Sequence, residues 1–103
     1  MLHTVDHPLI AEELTRLRDP ECPSQEFRQR VRRIASLMVP AVTANLATTI
    51  VPCNTPLEIT SGVKISRGII LVPVLRAGLG FLDGFLDLIP QAAVAHIGLA
   101  RNE

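Results

Sequence analysis

Between Ile69 and Pro90 the chain changes its period, and that change restricts the fold more than any other feature. Residues 69–75 (Ile-Ile-Leu-Val-Pro-Val-Leu) are apolar, broken only by Pro73. A short apolar run without alternation predicts a strand covered on both faces. Arg76-Ala77-Gly78 then predicts a tight turn. From there Leu79, Leu82, Phe85, Leu86 and Ile89 recur at helical spacing, and Pro90 stops the helix predicted over 79–89. Residues 93–99 are a second apolar run and predict a second buried strand. Strand, helix and strand within about 30 residues make a βαβ unit, with parallel strands and a right-handed crossover. The fold class is therefore α/β.

Parallel strands bring their C-terminal ends to one edge of the sheet, where open α/β sheets bind ligands. Arg76 leaves the first strand at that edge and Arg101 leaves the second. A helix N-terminus with its free N–H groups and partial positive charge follows the turn. Two guanidinium groups, Gly78 and a helix start at one edge suit a polyanion, above all a phosphate or pyrophosphate. The plainer readings stand beside this one. Arg76 can be a surface turn residue paired with an acid, and Arg101 lies close to the chain end. Gly78 and Gly80 serve close approach to phosphate or ordinary turn and packing chemistry. Asp83 and Asp87, at i and i+4, read as a solvated helix flank before they read as an acid/base pair. His96, inside an apolar run, reads as a core or interface histidine; His3 and His7 carry no assignment.

Ahead of this unit, Asp6-His7-Pro8 starts a helix, with Pro8 at the first helical position and Asp6 or His7 as cap. Ile10, Leu14 and Leu17 form its apolar face; Glu12, Glu13, Arg16 and Arg18 form the polar one. Ser24 is placed to cap a second helix with Phe27, Val31, Ile34 and Met38 as its stripe. Arg28, Arg30, Arg32 and Arg33 read as a solvated basic face, and Pro40 should kink or end this helix near Val39. Residues 46–52 and 57–60 are short β-prone runs punctuated by Pro52, Asn54, Pro56 and Gly62, and suggest a hairpin or arm. The chain thus divides into a helical segment (1–45), a β-extension or arm (46–66) and the βαβ unit (67–103), as one partial domain.

Composition removes several classes. Ten basic and ten acidic residues leave no net charge, so no field for nucleic acid exists. Aromatic residues are 3% of the chain, without Trp or Tyr, which argues against base-stacking platforms. No apolar stretch approaches the roughly 20 residues a bilayer span needs. Cys22 and Cys53 suggest neither a disulfide scaffold nor a zinc site, and a reducing cytoplasm is the default location. Nine of the ten basic residues are Arg, a bias that suits phosphate recognition but also follows from a GC-rich genome.

One stretch carries a family likeness. Val72-Pro-Val-Leu-Arg-Ala-Gly-Leu-Gly80 followed by Asp83-Gly84 resembles the segment around the pyrophosphate loop of uracil phosphoribosyltransferases. Leu88-Ile-Pro90, His96-Ile-Gly-Leu99, Arg101-Asn-Glu103 and, at the other end, His7-Pro-Leu9 continue the resemblance in register. Pro40-Ala41 departs from the family, which has an aromatic-acidic pair there. The resemblance implies the N-terminal helices and first βαβ unit of a phosphoribosyltransferase-type parallel sheet, truncated. It implies that Arg76, Ala77, Gly78 and Arg101 bind phosphoribosyl pyrophosphate, with a non-proline cis peptide at Arg76-Ala77. It assigns no residue a certain catalytic step and no protein ligand to a metal; magnesium would ride on the diphosphate. The implied reaction converts uracil and phosphoribosyl pyrophosphate to UMP and pyrophosphate, in a homo-oligomer and with a nucleotide effector such as GTP. The family's ribose-phosphate loop and uracil-reading segment have no counterpart in these 103 residues. The chain is therefore expected to be a fragment or truncated product, inactive alone. A non-catalytic, anion-binding remnant or a regulatory relative is the alternative.

Overall fold

The computed structural model describes residues 3–75 and 79–98, with side chains described over 3–73 and 80–96. Helix α1 (Pro8–Leu17) begins where Pro8 requires, and His7 Nδ1 accepts the Leu9 N–H at 3.1 Å, so His7 is the cap. Helix α2 (Ser24–Val42) starts one residue earlier than a Ser24 cap would allow; Pro23 is the N-cap and contributes no side-chain bond. Hairpin strands β1 (Thr48–Asn54) and β2 (Ile59–Ile65) follow. Then come β3 (Ile70–Leu71), β4 (Val74–Leu75), α3 (Leu79–Leu88), β5 (Ala93–Val94) and β6 (Ile97–Gly98).

Helix α2 is the spine. It packs against α1 on one side and, more extensively, against α3 on another. The core is small: Ile10 from α1, Ile34, Ala35 and Val39 from α2, and Ile89 just past α3. Pro40 does not end α2, which continues through it to Val42. Burial of Val39 holds the last turn in place, and the Val39 carbonyl accepts both the Thr43 N–H (2.9 Å) and the Thr43 hydroxyl (2.7 Å). One missing donor is cheaper than exposing that core.

The βαβ unit is present, with a correction to its strands. β3 pairs with β5 and β4 with β6, both parallel and with the same residue offset, so the two bridges belong to one ribbon. Pro73 has no N–H to donate, and the ladder lapses at 72–73 before resuming. The ribbon is not covered on both faces. Ile69, Leu71 and Val94 are half-buried and Pro73 is buried, whereas Ile70 is 64% exposed and Val72 and Ala93 are also exposed. A parallel sheet ordinarily needs helices on both sides, and the described residues cover only one. His96 is exposed as well, not a core histidine here.

The hairpin is an arm. Seven residue pairs, Thr48↔Ile65 to Asn54↔Ile59, form its antiparallel ladder. Thr55 closes the turn, its N–H and hydroxyl donating to the Glu58 carbonyl while its hydroxyl oxygen accepts the Glu58 N–H. The register places Ile50, Pro52, Ile59, Val63 and Ile65 on one face. Among the described residues that face is largely bare: Ile50 and Val63 are 75% and 72% exposed. The molecule is accordingly elongated, 58 × 36 × 30 Å. Among the described residues, no helix is long and apolar enough to cross a membrane.

Candidate functional site

Arg76, Ala77, Gly78 and Arg101, with the peptide between Arg76 and Ala77, lie outside the described residues. Their flanks are described. β4 ends at Leu75, α3 begins at Leu79, and the pairing Leu75↔Gly98 sets the C-terminal end of β4 beside that of β6. The strand that leads to position 76 and the strand that leads toward 101 thus run side by side in one direction. α3 is ten residues long and has no acidic residue in its first turn to occupy its N-terminal N–H groups.

Behind that edge, α3 is seated on α2 almost backbone to backbone. A Cβ on Gly84 would fall 2.5 Å from Ala35 Cβ and 2.9 Å from Ser36 N, and closer still to the Arg32 carbonyl oxygen. On Gly80 it would stand 3.0 Å from Val31 Cγ1. Ser36 Oγ donates to the Gly84 carbonyl at 3.0 Å. Arg32 grips Asp87 with both arms of its guanidinium, Nε to Oδ2 at 2.7 Å and Nη2 to Oδ1 at 2.6 Å. These bonds hold the Asp87 carboxyl below its ordinary range despite some desolvation. Asp83 and Asp87 are therefore not an acid/base pair: Asp87 is committed to Arg32.

The basic run of α2 is solvated at Arg28, Arg32 and Arg33, as expected, but three of its four arginines are paired and Arg30 is drawn in. Glu13 is buried and accepts from Arg30 Nη1 at 2.8 Å and from Arg33 Nη1 at 2.9 Å; Arg30 also donates to Glu26. Burial would push the Glu13 carboxyl up, but the bonds from Arg33 and Arg30 outweigh it and hold the group below its usual range. With Arg30, Arg32 and Arg33 each bound to a carboxylate, the run offers little to an external anion. Sequence reasoning put Glu13 on the solvent face of α1. Its partners come from α2, and no local pattern announces them.

One feature of the fold had no signal in the sequence. At the base of the arm, an open cavity of about 720 Å3 is bordered by Lys64, Arg67, Gly68, Ile70 and Gln91, at the opposite end of the ribbon from the turn. Among the described residues, no cluster of three or more His, Cys, Asp or Glu side chains could hold a metal.

Comparison with known proteins agrees with this geometry. A family model described as uracil phosphoribosyltransferase matches residues 4–103. A uracil phosphoribosyltransferase of Mycoplasma capricolum is 46% identical over 99 residues, covering 96% of this chain and 48% of the relative. One from Dictyoglomus thermophilum is 47% identical over 103 residues, covering 99% and 50%. The solved structure of the AQ2163 protein from Aquifex aeolicus superposes with a TM-score of 0.89 at 27% identity, over 100% of this chain and 50% of that one. The chain spans about half the length of the curated relatives it matches. A strand–helix–strand frame flanking positions 76–78, in a chain matched from residue 4 to residue 103, places it in the uracil phosphoribosyltransferase family.

Proposed function

We propose that this chain supplies the pyrophosphate-binding half of a uracil phosphoribosyltransferase. The whole reaction joins uracil to the ribose of phosphoribosyl pyrophosphate, giving UMP and releasing pyrophosphate. The observation that carries the reading is the parallel pairing of β4 with β6 at the start of α3, which frames residues 76–78 and leads toward 101. In that frame Arg76 and Arg101 hold diphosphate oxygens, and Ala77 and Gly78 let backbone N–H groups approach. Their task is positioning and stabilising the charge that builds on the leaving pyrophosphate. Magnesium enters as part of the diphosphate substrate, and we assign it no protein ligand. The bare apolar face of the arm supports assembly of two or more copies; by family resemblance alone we add the cytoplasm as its place and a nucleotide such as GTP as effector.

The ribose-phosphate loop and the uracil-reading segment are missing from these 103 residues, so the chain alone should make no UMP from uracil, phosphoribosyl pyrophosphate and magnesium. Turnover above a heat-killed control would contradict this. Anion binding tests the site itself. A charge-assisted contact contributes about 1.5–3 kcal/mol, so in the full-length parent, or in this chain complemented by its missing half, Arg76→Ala should weaken phosphoribosyl pyrophosphate affinity roughly ten- to a hundredfold. Arg76→Lys should recover only part, because a point charge cannot bind two oxygens at once as the guanidinium fork does. Titration calorimetry with melting temperatures alongside decides it; a folded Arg76→Ala that binds like the wild type refutes the site.

A further inference from the structure

We propose that the seam between α2 and α3 is the positioning device for the turn at 76–78, with Gly84 setting how deeply α3 sits and Arg32–Asp87 setting its rotation. The proposal rests on the reading of that turn as an anion site and extends it to residues with no role in touching the ligand.

The first helical residue, Leu79, directly follows residues 76–78 in the sequence. A hydrogen-bonded helix of ten residues, roughly 15 Å long, moves as one body, so a displacement anywhere along α3 is passed to its N-terminus. What holds α3 is α2. Gly80, Gly84 and Asp87 recur at i, i+4 and i+7 and so share one face, and each meets α2 in a different way. Gly80 approaches Val31, Gly84 meets the backbone at Arg32 and Ser36, and Asp87 receives the two-pronged bond from Arg32. The Ser36 hydroxyl adds a bond to the Gly84 carbonyl, which registers the two helices along their length. Asp83 lies near enough to Arg32 to favour its charge, after Asp87 itself. A planar guanidinium on a planar carboxylate is directional, so it resists rotation of α3 about its axis, where apolar packing alone would not. Anion recognition by convergent donors tolerates little error, since a misplacement of about 1 Å is costly. The seam is therefore built for placement, not only for adhesion.

The experiment measures phosphoribosyl pyrophosphate binding, with magnesium, to the chain complemented by the half that carries the ribose-phosphate loop, at a temperature well below every variant's melting point. Gly84→Ala should lower affinity most. Asp87→Asn and Arg32→Lys should each lower it about three- to tenfold, and the exchange Arg32→Asp with Asp87→Arg should restore part of the loss. The decisive reading is a double-mutant cycle. If Asp87 acts through the turn, Asp87→Asn should lose most of its effect when Arg76 is already Ala. Folded Asp87→Asn and Arg32→Lys chains that bind like the wild type, while Arg76→Ala does not, would overturn the positioning role and leave the anion site standing. Full additivity in the cycle would also overturn it. If Gly84→Ala fails to fold, the Asp87→Asn arm decides. A complemented wild-type chain that binds no phosphoribosyl pyrophosphate overturns the site and the positioning role together.

Discussion

The α2–α3 seam and the β1–β2 arm are both tied by hydrogen bonds, yet among the described residues only the seam is closed within the chain. In the seam, Gly84 meets backbone, Ser36 meets a carbonyl and Arg32 meets a carboxylate. In the arm, backbone groups pair with one another along the ladder, but Ile50, Ile59 and Val63 are left exposed. A two-stranded hairpin by itself is marginal in water, so the arm gains little from its own sheet and leaves apolar area to be covered from outside. The lesson is that one chain can carry a region whose geometry it dictates and another whose geometry it only offers.

The same substitution in both regions separates them. Gly84→Ala inserts a methyl where backbone already stands. Overpacking of this kind costs about 1–3 kcal/mol, only partly offset by the roughly 1 kcal/mol that Ala gains over Gly in a helix. We expect the largest loss in the molecule, near 2 kcal/mol at the upper end of that balance, seen as a lower urea midpoint. A midpoint equal to that of the wild type would mean that the seam is looser than its distances imply.

Next in size is Glu13→Gln. It takes the charge from a buried carboxylate and leaves Arg30, whose side chain is 13% exposed, with Glu26 alone. The expected cost is about 1–2 kcal/mol, held down because Arg33 is open to solvent. Since folding lowers the Glu13 pKa from 4.5, its contribution is present above that value and fades as pH falls below it. The wild type should therefore lose stability below pH 4.5 more steeply than Glu13→Gln. Parallel acid limbs in the two chains would remove Glu13 as the cause.

Changes in the arm should matter less to folding and more to association. Ile50→Thr with Val63→Thr should shift stability by less than about 0.5 kcal/mol per residue, as at other exposed positions, while sedimentation shows weaker self-association. A large drop in melting temperature would show that the arm is closed after all. The smallest effect is expected for Gly62→Ala, whose added Cβ meets Cys53 Cβ at an ordinary 3.4 Å. Stability within about 0.5 kcal/mol of the wild type is the outcome that completes the contrast.

Local chemistry was readable from the residues alone. Pro8 and His7 begin α1, the 3.6-residue stripe marks α2 and α3, and the shift of period at 76–78 marks a strand–turn–helix unit, because each signal spans only a few neighbouring residues. Pro73 was visible too, but continuous apolar character outweighed the missing N–H, and the ladder broke there. Tertiary structure decided the rest. Glu13 met Arg30 and Arg33 from α2, and Arg32 met Asp87 at a separation of 55 residues. Pro40 was carried inside α2 by the burial around Val39. Such choices depend on which surfaces the packing brings together, and a period of two or 3.6 residues carries no information at that range.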